Sequence, residues 1–488
     1  MKAYKNIAVL LIIIVSGLLL PGCTRDYVDM NTNPNASTSA SPQSLLSPAL
    51  MSLISGNLAR NFRINNEFVQ VTVTTSDSRE FHRYEVRPSE SDAQWRLWYL
   101  QLTNIRDIFK NAEAGKQPGY RTFQGMSLIL DAWVGSLLTD MYGDVPYSES
   151  NSGFEQQNTT PAFDNQKAIY ESMFSKLEAA DTLLKVNDTI PTVFRAADPV
   201  FNGAPDLWRR FGNSLYLRLL LRVAHKTDID AVARIKKIVE DEPANYPLMN
   251  NNNSSAILRF TGVLPFLSPF ATARDFDFNG DKGYSEFFIN NLVELNDPRL
   301  PVWATQATLG VYGGMQSAYL PGNIPERQST LQLALKTEPL LGNIMNYAEL
   351  QFILAEAALK GYINKDPEAY YKNGVKASVE LWRATIDDSY FDNPAVSFTA
   401  STQEEDQLKK IHLQKYLALM FTDFQQWYEY RRTRALDLYV GPGLQNGGRM
   451  PSRMVYPTLV QTLNRANYDK AVAAMGGNSI NEKVWWEK

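Results

Sequence analysis

The sequence predicts a mostly α-helical protein, in which tetratricopeptide-like helical hairpins pack with one long loop-rich region. Three observations carry this. Apolar residues recur at helical spacing in both halves of the chain. Helix breakers concentrate between residues 241 and 343. Two helices fit within about 34 residues near position 370, the length of one tetratricopeptide hairpin.

Lys2 and Lys5 precede an apolar stretch from Ile7 to Leu20, too short for a membrane span but suited to a cleaved export signal. Cys23 is the only cysteine and directly follows Gly22, the small residue that a lipoprotein signal peptidase needs. Residues 1–22 are therefore expected to be a lipoprotein signal peptide, and Cys23 the lipidation point on a membrane facing an exterior compartment. The alternative is an ordinary secretory signal with a bystander cysteine, and Pro21 departs from the residues usual at its position. Residues 23–48 read as a lipidated tether, rich in Asn, Ser, Thr and Pro, ahead of a single domain over 49–488.

Losing Lys2 and Lys5 moves the formal net charge from −4 to about −6, which favours neither nucleic acid nor an anionic membrane as partner. With no cysteine left to pair, the fold must rest on packing alone. Aromatic residues make up 11% of the chain, suiting large helix interfaces or a binding surface.

Met126, Leu130, Trp133, Leu137 and Met141 keep one face of a first helix apolar. Ile169, Met173, Leu177, Ala180 and Leu184 do so in the next, with Asp164 as its expected N-cap. Trp208, Phe211, Leu215, Leu219 and Val223 mark a third. The span 241–343 is broken by proline, glycine and an asparagine run, leaving one short helix around 285–295. So long an irregular span inside a helical protein is usually functional. Leu350, Ile353, Leu354 and Ala357 then face Tyr371, Gly374, Val375 and Ser378 in the hairpin, whose second helix opens at Asp366-Pro367. An unrelated helical hairpin remains the alternative. A long helix over 404–433 and a loop-rich tail follow.

Several segments together carry a resemblance. They are Leu138 to Glu149 (LTDMYGDVPYSE), Trp208 to Leu215 (WRRFGNSL), Asn296 to Leu300 (NDPRL) and Asn346 to Gln351 (NYAELQ). Gln414 to Leu419 (QKYLAL), Arg431-Arg432-Thr433 and the terminal Trp485-Trp486 complete the set. In this order the chain resembles the SusD/RagB family, most closely its SusD-like starch-utilisation subgroup of outer-membrane lipoproteins. The resemblance implies capture of a glycan, or in some members a peptide, for a partner TonB-dependent SusC-like transporter. A lipid-anchored helical-repeat scaffold that binds only proteins is the competing class. Physically, Gly143 suits a helix C-cap with Pro146 behind it. Arg431 and Arg432 read as structural cations paired with buried carboxylates, and Arg218 and Arg222 as a solvated or ion-paired face.

Sugar rings stack on flat aromatics and need amides and carboxylates nearby. Two loop stretches supply that mixture, and they nominate Tyr84, Trp95, Trp303, Tyr312 and Tyr319 as ligand contacts. For each of them core packing is the competing role. Asp275, Asp277, Asn279, Gly280 and Glu286 satisfy the spacing of a calcium-binding EF-hand loop. A poor entering helix and Lys282 at the usual apolar position count against calcium, and a solvated acidic turn is the alternative. The only histidines, His82, His225 and His412, are scattered, and no serine elbow, metalloprotease or phosphate-loop motif occurs. A binding protein rather than an enzyme is expected.

Overall fold

The computed structural model describes residues 40–76 and 80–488; Cys23, the leader and the tether as far as 39 lie outside them. Ser41–Lys488 forms one compact unit. It begins with α1 (Pro42–Arg60), where Pro42 takes a first-turn position and Leu46, Leu50 and Leu53 are fully buried. The tether predicted to run to residue 48 therefore stops sooner. Pro48 lies inside the helix, and the apolar stripe it interrupts outweighs the hydrogen bond it removes.

Four more long helices continue the array: α2 (Ser91–Gly115), α3 (Tyr120–Tyr142), α4 (Gln166–Lys185) and α5 (Pro205–Arg222). Each packs on its predecessor, except that α5 packs on both α4 and α3. Trp98, Trp133 and Trp208 point inward. Burying each such side chain contributes roughly 2–3 kcal/mol before conformational entropy is subtracted. The cap of α4 is Asn165, whose side chain accepts from the Ala168 amide at 2.9 Å. Asp164, predicted for that role, instead accepts from the amides of Tyr147 and Ser148 at 2.9 and 2.7 Å and ties down the exit from α3. Gly143 ends α3 at φ 82°, where an added Cβ would stand 2.4 Å from the Met475 methyl.

The middle region is loop-rich as predicted, with α6 (Glu286–Glu294) in the expected place. Two short antiparallel pairs pin it to the body. β1 (Thr72–Thr74) pairs with β3 (Lys282–Tyr284), and β2 (Ala256–Leu258) with β4 (Gly342–Met345). The predicted hairpin follows as α7 (Tyr347–Leu359) and α8 (Pro367–Leu381). At Gly374 any Cβ would lie 2.7 Å from the Phe352 ring, so only glycine lets these helices close. The single helix expected over 404–433 is two, α9 (Glu404–Ala418) and α10 (Gln425–Thr433). Between them Phe421 and Asp423 take positive φ. Buried Asp423 holds that break by accepting from the Trp133 indole at 3.2 Å and the Gln425 amide at 2.8 Å.

The motif residues staple this array through its centre. Arg218 of α5 meets Glu349 of α7 at 2.5 Å, and Arg222 meets Asp140 of α3 at 2.5 Å, all nearly inaccessible to water. Asp140 also accepts from the Tyr170 hydroxyl and the Trp486 indole. Arg299 forks onto Asp297 and reaches Ser378 and Gln414. Arg432 holds Glu356 and Glu429, and Arg431 holds Glu487, so both are paired as expected.

Candidate functional site

An open cavity of about 340 Å³ lies where the chain leaves α10. Arg434 ends that helix in the left-handed conformation. The irregular segment beyond it is laced onto two earlier loops. Tyr439 exchanges two hydrogen bonds with the side chain of Gln70, at 2.7 and 3.0 Å. The Gly443 amide donates to the Ala318 carbonyl at 2.8 Å, and the Gln445 amide to the Arg83 carbonyl at 2.7 Å. A Cβ on Gly443 would fall 2.0 Å from the Tyr319 carbonyl oxygen, so glycine is required for this approach.

The cavity wall combines phenol rings of Tyr84 and Tyr430 with the polar heads of Arg434, Arg449, Asn481 and Lys483. Leu438, Val440 and Leu444 supply its apolar side. Tyr84 itself takes the left-handed conformation that closes the short Phe81–Arg83 turn, and burial, then Tyr430, pushes its hydroxyl well above the ordinary phenol range despite Arg434. Arg434 lies over the Tyr430 ring, 5.2 Å from its centroid. Rings, amide and cations together can hold a polar ligand with flat apolar faces.

Next to Tyr84 in the chain, the Phe81–Arg83 turn is closed. His82 Nδ1 accepts from the Ala318 amide at 3.0 Å, and its ring stacks on Tyr319 at 4.9 Å. Burial, with Arg83 and Lys282 nearby, lowers His82 to about 3, so the ring is neutral. Glu67 faces Lys282 at 3.6 Å and accepts from the His82 amide. Burial outweighs that cation and raises Glu67 to about 7.

Of the five aromatic side chains nominated from sequence, only Tyr84 lines this cavity. Trp303 is completely buried, edge-on to Trp382 at 5.4 Å and under Arg299, so neither face is open to a sugar. Tyr319 is 1% exposed and donates to the carbonyls of Thr74 and Ser76. Trp95 is enclosed by Tyr99, Tyr142 and Tyr456. Tyr312 is half-buried and lies outside the cavity wall. Trp303 and Tyr319 are packed because the middle region folds back onto the body through β3 and β4, whereas Trp95 lies on the buried face of α2. Tyr430, Arg434, Arg449, Asn481 and Lys483 were missed. For Arg434 and Arg449 the signal was a cation-bearing, glycine-rich stretch after an amphipathic helix, while Asn481 and Lys483 in the tail carried none.

The calcium proposal fails on the side chains themselves. Asp275 pairs with Lys336 at 2.8 Å, Asp277 with Arg274 at 2.7 Å, and Asn279 donates to the Leu331 carbonyl. Residues 276–280 form a wide helical turn, and Glu286 starts α6 with its own side chain exposed. Among the described residues no group of three or more His, Cys, Asp or Glu converges on a point. No helix among them is long and apolar enough to cross a membrane.

Solved structures share this architecture. A SusD homologue from Bacteroides fragilis superposes with a TM-score of 0.78 at 23% identity, covering 92% of this chain and 100% of its own. A chitin-binding SusD homologue from Flavobacterium johnsoniae gives 0.77 at 21% identity, covering 92% and 98%. A structure described as a chitin-binding protein gives 0.77 at 25%, covering 91% and 99%. No curated protein sequence matches the chain. The family model described as "Starch-binding associating with outer membrane" matches residues 34–457, most of the sequence, and the chain therefore belongs to the SusD-like family.

Proposed function

We propose that this protein is a lipoprotein of the outer-membrane surface, anchored through Cys23, that captures an oligosaccharide without cleaving it. It then delivers the sugar to a TonB-dependent SusC-like transporter. The family description and the chitin-binding relatives support glycan capture. The observation that carries the reading is the open cavity, where half-buried Tyr430 and the edge of largely buried Tyr84 stand beside Asn481 and Ser452. Ring faces can pack against sugar C–H bonds while amide and hydroxyl groups receive the sugar hydroxyls. Delivery to the transporter is inferred from the family.

Titration calorimetry of the full chain against a panel of soluble oligosaccharides tests capture. At least one glycan is expected to bind, and Tyr430→Ala should weaken it roughly three- to ten-fold, the worth of one aromatic contact. Silence across the panel overturns capture. Recovery of the wild type with membranes and of Cys23→Ala in the soluble fraction tests the anchor.

A further inference from the structure

The cavity wall carries three cations, Arg434, Arg449 and Lys483, and not one carboxylate. This stands against a chain whose formal net charge is −4. The carboxylate that pairs with Arg434 is Glu487, which is 2% exposed, and its demands are already heavy. It takes two bonds from Arg431, at 3.0 and 2.8 Å, one from Arg434 at 3.2 Å and one from Ser452 at 3.3 Å. One carboxylate is thus shared by two guanidinium groups, leaving an unbalanced positive charge. Glu482 lies against Gly476 and Gly477. Arg449 and Lys483 are exposed, and neither side chain makes an ion pair among the described residues. Arg434 adds its cation over one face of the Tyr430 ring.

Resting on the reading of this cavity as a glycan site, we propose that its ligand is an anionic oligosaccharide, bearing uronate carboxylates or sulfate esters. A neutral sugar would leave Arg449 and Lys483 without a countercharge and Arg434 with only its share of Glu487. An acidic one places an oxyanion within reach of a guanidinium fork while its ring meets a phenol. The contribution of exposed cations also makes binding sensitive to salt, because the screening length is about 8 Å at physiological ionic strength.

The test is calorimetry of the full chain with three hexasaccharides, namely oligogalacturonate, a chondroitin sulfate fragment and the neutral maltohexaose. The expected result is that an acidic hexasaccharide binds at least roughly ten-fold more tightly than maltohexaose at low salt. The preferred acid identifies carboxylate or sulfate as the anion. The double variant Arg449→Gln/Lys483→Gln should lose about that advantage, and an unchanged thermal unfolding midpoint shows that the variant is folded. Equal or tighter binding of maltohexaose, unchanged in the variant, overturns the anionic assignment and leaves glycan capture standing. Absence of binding by all three, with the wider glycan panel also silent, overturns both.

Discussion

Trp303 shows how little a residue's type says about its role until its surroundings are known. Its indole faces meet Trp382 and Arg299, and its neighbour Tyr284 donates to the Trp303 carbonyl at 3.0 Å. Trp303→Ala should therefore cost about 3–5 kcal/mol of stability, read by urea denaturation, through cavity formation rather than lost ligand contact. Glu67 makes a second residue-scale prediction. Its carboxyl rises from 4.5 to about 7 because burial disfavours the anion. A raised acid contributes its stability below pH 4.5 and loses it as pH rises through 7. Glu67→Gln should thus gain on wild type by on the order of 3 kcal/mol between pH 4.5 and 8, measured as unfolding free energy against pH. A constant difference across that range would contradict the assignment.

Helices in this protein are held to one another by buried ion pairs whose partners come from distant segments. Arg218 and Glu349 are each 1% exposed, so removing one leaves the other charged and unpaired. Arg218→Ala should cost roughly 3–5 kcal/mol, and the double replacement Arg218→Met/Glu349→Leu should cost much less. Thermal or urea unfolding of both variants separates the two outcomes. The acidic turn at 275–286 behaves as an element of a different kind. Its Asp275 and Asp277 are paired with Lys336 and Arg274, so melting with and without a calcium chelator should give the same midpoint. A chelator-dependent drop would restore the metal site.

On the scale of the whole molecule, buried titratable groups set the acid limit of the fold. Burial would raise Glu356, yet Arg432 and His412 outweigh it and hold the carboxyl at about 2. Asp131 likewise stands at about 2, where Arg106 and Lys176 overcome its burial. Such depressed acids stabilise the fold above their unfolded values near 4 and lose that contribution as pH falls toward 2. His412, lowered to about 4 chiefly by burial, stabilises above 6.5 and loses its share on the way down to 4. Both effects weaken the fold as pH falls, His412 mainly above pH 4 and the two carboxyls below it. Unfolding free energy should fall by several kcal/mol between pH 4 and 2, with net proton uptake on unfolding, as urea titrations at stepped pH will report.

Several elements were legible because short-range physics decided them. Helical spacing located α3, α4, α5, α7 and α8, and Asp366-Pro367 marked the start of α8 to the residue. Gly374 was readable as a small residue at a helix contact, and the Phe352 ring shows why. The cap of α4 slipped by one position, since Asp164 and Asn165 are both competent caps and only the fold gives Asp164 other amides to bind. The break at 419–424 carried no glycine or proline signal. There hydrogen bonds to buried Asp423 from Trp133 and Gln425 sustain backbone angles that local preference disfavours.

By itself, the amino-acid order determined the helical class, the paired arginines and the ordered motifs of the family, because periodicity, charge and spacing are local properties. Only the tertiary structure decided which rings are open and which are packed. Exposure depends on segments far apart in the chain: β3 and β4 draw the middle region onto the body, while residues 434–449 and 481–483 converge on Tyr84 to make the cavity. Burial is a sum over distant neighbours, and no window of sequence contains it.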